Sequence, residues 1–195
     1  MLVMCIFHGH SIKFVNKSKM DFVNDYLRNY GKRIHKMYPI RDSITIEIID
    51  ENSTESQNLD CNDKYTPMQS LSKKAAITRG INTINEKIII TSNYNEPPCS
   101  IETFFNDEEL FALLSHEIGH IIASYTNHDC GGVEEELYAD DCASKLGLRD
   151  AMLSSVKIML EHHENSPERI FDDLNDPNKE RRKFFEERIK ALSNS

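Results

Sequence analysis

The sequence predicts an α+β protein, with N-terminal strands and one helix forming a small mixed sheet, followed by a helical half. Three observations carry this. Alternating, β-branched runs are confined to residues 1–91, and apolar residues recur at helical spacing from residue 106 onward. Between them, residues 93–100 with Pro97 and Pro98 break the sheet. At 195 residues the chain is long enough for one core and nothing in it marks a second. A single domain, 1–195, is therefore expected, with a sheet-containing half over about 1–100 and a helical half over about 106–192.

Composition narrows the class. A 39% hydrophobic and 28% charged chain with a net charge of −9 describes a soluble protein. That balance argues against nucleic acid or an anionic membrane as the main partner, and suits a peptide or protein segment better. The five cysteines are Cys5, Cys61, Cys99, Cys130 and Cys142, an odd number without a CxxC pair, which points to reduced thiols in a cytoplasmic setting. The opening Met1 to Phe7 is apolar but lacks a basic leader region, so it is expected to be a buried strand rather than a signal peptide. No apolar run approaches the roughly 18 residues that a bilayer requires.

Taken in order, residues 18–37 place Met20, Phe22, Val23, Tyr26, Leu27, Tyr30, Ile34 and Met37 at helical spacing, ending before Pro39. The basic residues of this stretch (Lys17, Lys19, Arg28, Lys32, Arg33, Lys36) are expected on its solvated face. Residues 43–49 alternate and are β-branched, which predicts a strand. Residues 51–72 are polar and predict a long surface loop. Two short β-rich runs, 74–79 and 87–91, are spaced as a hairpin. Asn106 followed by Asp107, Glu108 and Glu109 combines a cap residue with first-turn acids, and opens a helix that runs to Tyr125. Its core stripe is Leu110, Leu114, Ile118, Ile121 and Tyr125. A turn over 126–132 leads to a helix over 134–146, closed by Gly147, and a third helix over 148–162 follows. Pro167 and Pro177 each fit the first turn of a further helix, the last ending near Leu192.

The chemistry lies in His116-Glu117-Ile118-Gly119-His120. Histidines four apart on a helix face the same way, so both imidazoles reach one metal, and the glutamate between them overlooks the open coordination position. Catalytic zinc takes three protein ligands and keeps one position for water. A third histidine six residues beyond His120 would make another class of site, but that position is Thr126. His128 is a weak candidate for third ligand and Glu136 the better one. Glu136 and Asp140 are four apart on the next helix, on a face shared with small Ala143 and Gly147 that lets the two helices approach. Asp140 would then fix the tautomer of a ligand histidine, His116 being the expected partner. Glu134 and Glu135 are expected to be solvated. Gly119 in mid-helix costs about 1 kcal/mol against alanine and calls for a reason such as a neighbouring backbone. Metal lowers the pKa of water to roughly 7, and Glu117 is placed to take its proton during attack on an amide carbonyl and hand it to the leaving amine.

HExxH followed by Glu136-Leu137-Tyr138-Ala139-Asp140 resembles the gluzincin pattern, and residues 135–160 are similar to zinc endopeptidases of the HtpX and CaaX prenyl protease type. The resemblance covers about residues 106–192. It implies a small zincin-like fold, one catalytic Zn2+ held by His116, His120 and Glu136, Glu117 as catalytic base and Asp140 behind the ligands. It also implies an edge strand beside the motif helix that holds substrate backbone, for which residues 87–91 are the candidate. Family members commonly carry a His-Pro with a downstream arginine; the comparable place here reads Asp176-Pro177 with Arg182, without the histidine. His162, His163, Tyr138 and Arg182 are the candidates for oxyanion stabilisation. The expected function is a soluble, cytoplasmic zinc metallopeptidase acting on a peptide or protein substrate. The alternative is a catalytically weak or inactive zincin-fold binding, regulatory or virion-associated protein, and a third reading is a zinc hydrolase of a non-peptide amide.

Overall fold

A computed structural model describes residues 2–7, 10–38, 44–50, 68–71, 84–90, 104–126, 131–165 and 177–194. Along the chain these form β1 (Leu2–Phe7), β2 (His10–Asn16), α1 (Asp21–Met37), β3 (Ile44–Asp50), β4 (Met68–Leu71) and β5 (Ile84–Ile90). The helical half contains α2 (Asp107–Tyr125), α3 (Gly132–Lys145), α4 (Arg149–Asn165) and α5 (Pro177–Asn194).

The sheet is mixed, in the order β1-β2-β3-β5-β4. The inner pairs β2/β3 and β3/β5 are parallel, while β1 and β4 run antiparallel to their neighbours at the two edges. Position explains composition in β3, whose Ile44, Thr45, Ile46, Ile48 and Ile49 are all buried. A central parallel strand is covered on both faces, so it reads as a near-continuous apolar run. The β2-α1-β3 connection is a crossover, since parallel neighbours cannot be joined by a tight turn. α1 packs against β1 and β2, and buries Phe22, Val23, Tyr26, Leu27 and Ile34. Its basic residues Lys19, Arg28, Lys32, Arg33 and Lys36 are exposed.

Three sheet expectations change. β2 is an additional strand, whose sequence carries only a short alternation, with Ile12 and Phe14 buried and Lys13 less so between them. β4 falls inside the stretch read as a loop: four residues without β-branched side chains carry no strand signal, and pairing with β5 supplies the order instead. Residues 87–90 are not an edge: β5 lies between β3 and β4, so its hydrogen-bonding groups are used on both sides, and among the described strands β4 is the edge, packed against α2. The hairpin partner at 74–79 lies outside the described residues, as do Pro167, His128 and the rest of the 51–72 stretch apart from β4.

α2 is the centre of the molecule, with the sheet and α1 on one side and α3 and α4 on others. Its first turn is fixed by a reciprocal cap: the Glu109 N–H donates to Asn106 Oδ1 (3.0 Å), and the Asn106 N–H donates to Glu109 Oε2 (2.8 Å). Ser115 Oγ pairs with Tyr26 Oη at 2.9 Å, tying α2 to α1, and Tyr125 at its far end donates to Glu86 on β5. The burial extends beyond the expected stripe, taking in Ala112, Leu113, Ile122 and Ala123 as well. Gly147 adopts φ +85°, and the Leu148 N–H donates to the Ala143 carbonyl, ending α3 as its sequence predicts.

Candidate metal centre

Close approach of α2 and α3 makes the site. A Cβ added to Gly119 would stand 2.7 Å from Ala139 Cα and 3.1 Å from Cys142 Sγ, so the two backbones meet at this glycine. Ala139 and Ala143 are fully buried on the facing side of α3. Small residues at both surfaces bring Glu136 and Asp140 of α3 onto the histidines of α2.

His116 Nε2 and His120 Nε2 lie 3.1 Å apart. Glu136 closes the group, with Oε2 3.3 Å from His116 Nε2 and Oε1 3.3 Å from His120 Nε2. His116, His120 and Glu136 thus form a cluster able to hold a metal ion, with one ligand atom from each within 4.8 Å of the others. Two ligand atoms on a tetrahedral zinc at about 2.0–2.1 Å stand roughly 3.3 Å from each other. The two nitrogens, and each nitrogen with its nearer Glu136 oxygen, stand close to that separation, and two imidazoles with one carboxylate are a donor set that zinc accepts.

Both imidazoles are held from behind. His116 Nδ1 faces Asp140 Oδ1 at 2.8 Å, as the spacing on α3 predicts. His120 Nδ1 faces Glu135 Oε1 at 2.9 Å, and Glu135 Oε2 accepts from the Gly131 N–H at 3.0 Å. Glu135 is consequently a site residue rather than a solvated acid. In each ring the rear nitrogen is occupied by a carboxylate, which turns Nε2 toward the common point. Glu117, one residue beyond His116, is largely buried, and its charge favours protonated His120.

The residue that sequence reading missed altogether is Arg188 on α5. Its guanidinium donates from Nε to Asp140 Oδ2 (2.9 Å) and from Nη2 to Asp140 Oδ1 (2.7 Å), and Nη1 lies 3.0 Å from Glu136 Oε2. A signal was available. Arg188 stands three residues after Phe185 and four before Leu192, so it occupies the buried stripe of α5, where a cation must be paired. Arg182 is placed elsewhere: exposed, it pairs with Glu186 at 2.9 Å and Glu164 at 3.4 Å. Tyr138 Oη lies 3.2 Å from Thr126 Oγ1, and the His162 ring meets Phe104 edge-on.

These contacts set the ionisation. For His116, burial and the Arg188 charge oppose protonation, yet the Asp140 and Glu136 carboxylates outweigh both and push it up to about 9. His120 is also raised, against burial, by Glu136 and Glu117. Burial alone would raise both carboxyls, but the imidazoles and Arg188 hold Glu136 and Asp140 well below the usual carboxylate range. Cys142 goes the other way, to about 11, because burial disfavours its thiolate.

Comparison with protein-family models, curated proteins and solved structures finds no match to this chain. Among the described residues, no helix is long and apolar enough to cross a membrane.

Proposed function

We propose that this chain is a zinc-dependent endopeptidase of the gluzincin type with a zincin-like fold, in which His116, His120 and Glu136 hold one Zn2+ and Glu117 is the catalytic base. One observation carries the reading: two imidazole Nε2 atoms and a carboxylate converge at 3.1–3.3 Å while carboxylates on Asp140 and Glu135 fix the opposite nitrogens. Zinc bound there supplies a Lewis acid that acidifies water and polarises a carbonyl. The protein's own part is acid–base work and positioning. Glu117 accepts the proton of the attacking water, and the same proton then passes to the amine as the C–N bond breaks. Asp140 and Glu135 keep both imidazoles in the tautomer that presents a lone pair.

Substrate binding follows from the sheet. Among the described strands β4 is the edge beside α2, the place where an extended peptide would add as a further strand. Digestion of casein and of a peptide library by the zinc-loaded chain tests the proposal. Fragments that vanish on chelation and return with zinc are expected. Bound zinc without cleavage across the library would instead favour a non-proteolytic binding protein.

A further inference from the structure

Resting on the zinc reading above, we propose that Arg188 is the positioning residue of the site, and that α5 therefore sets how well the centre holds its metal. The Arg188 side chain is 4% exposed and that of Asp140 2%, so this ion pair is made away from water. One planar group performs two tasks. Its Nε and Nη2 grip both oxygens of Asp140, leaving the Oδ1 edge on His116 Nδ1, and its Nη1 reaches across to Glu136 Oε2. Two α3 carboxylates one turn apart, one facing a ligand histidine and one itself a ligand, are thus referred to a single rigid fork. A bidentate guanidinium fixes direction as well as charge, which a lysine ammonium does not.

The arrangement also moderates charge. Glu117, Glu135, Glu136 and Asp140 surround the histidines, and Arg188 is the cation the structure brings against two of these acids. Without it, the Asp140 and Glu136 carboxylates would repel, and Glu136 would lose the contact that keeps it facing the imidazoles. α5 is secured independently at its far end, where Arg149 Nε donates to the Leu192 carbonyl at 2.7 Å. Fixing of the helix and fixing of the ligands are therefore separable by mutation.

Zinc affinity, measured by competition with a chromophoric chelator on the full-length chain, tests this, together with the visible spectrum of Co2+ bound in zinc's place. Replacing Arg188 with Met should weaken zinc by about 10- to 100-fold, the usual effect of removing a group that orients ligands. The intensity of the cobalt bands, which reports coordination number, should change as Glu136 swings away. R188K should recover folding but not the full affinity, since it keeps the charge and loses the fork. Should R188M fail to fold, R188K carries the test. As a control for stability alone, Arg149→Ala should lower the melting temperature while leaving zinc affinity and the cobalt spectrum within about twofold of wild type. Wild-type affinity and spectrum in R188K and in folded R188M would overturn the positioning role. A wild-type chain that takes up neither metal would overturn the zinc reading itself, and this proposal with it.

Discussion

At the scale of single residues, the proposed centre divides into groups that would hold the metal, groups that orient them and one that would react. Glu117 is the group assigned to proton transfer, so Glu117→Gln is expected to keep zinc, because the ligands are untouched, and to lower peptide cleavage by at least about 100-fold. Paired zinc analysis and peptide kinetics check this; undiminished turnover in the variant would remove Glu117 from the mechanism. The ligands and Asp140 were legible because helical spacing alone places them: His116 and His120 on one face, Glu136 and Asp140 on another. Glu135 and Arg188 were not. Glu135 lies in a run of three acids, where no local rule separates the one that meets His120 from its solvated neighbour, and its second oxygen accepts from the Gly131 N–H, a contact that composition does not announce. Arg188 comes from a helix remote in sequence, and its place between Phe185 and Leu192 marks a buried cation without naming the acids that meet it.

At the scale of elements, the α2–α3 contact decides whether the site assembles. Gly119→Ala would restore roughly 1 kcal/mol of helix propensity. Against that, the new methyl meets Ala139 backbone at 2.7 Å, which cannot yield as a flexible side chain would. Overpacking of this kind costs about 1–3 kcal/mol. Lower stability in urea denaturation and weaker zinc binding are expected together, since separating the helices also withdraws Glu136; an unchanged midpoint would contradict the close approach. The helices were readable from caps and period, as at Asn106 and Gly147. The sheet was readable only where strands are apolar. β3 announces itself, whereas β4 owes its existence to a partner strand, and so the sequence alone points to β5 as the edge beside the site. An apolar strand pattern is local, but strand order, and β4 itself, are set by pairing between distant segments.

At the scale of the whole molecule, the candidate metal centre lies where the helices of the second half meet, and α2 links it to the sheet through Tyr125 and Glu86. Metal, protons and folding are therefore coupled. His116 is raised from its ordinary 6.5 to about 9 in the metal-free protein. A group raised on folding stabilises fully below its unfolded value, and that contribution is lost as pH climbs through the folded one. The melting temperature of the metal-free chain is thus expected to lose the His116 contribution between about pH 6.5 and 9. Zinc requires the neutral ring and displaces its proton, so stabilisation by zinc should grow over the same interval. Calorimetry with and without chelator measures both trends, and a zinc effect that shrinks as pH rises would contradict the coupling.

The most direct measurement is X-ray absorption at the zinc edge of the loaded, full-length chain, alongside its metal stoichiometry. One zinc per chain is expected, with two imidazole nitrogens and carboxylate and water oxygens at about 2.0–2.2 Å. A sulfur neighbour at about 2.3 Å, or a shell that survives replacement of His116 and His120, would show that the metal is held elsewhere and that these two helices do not build the centre.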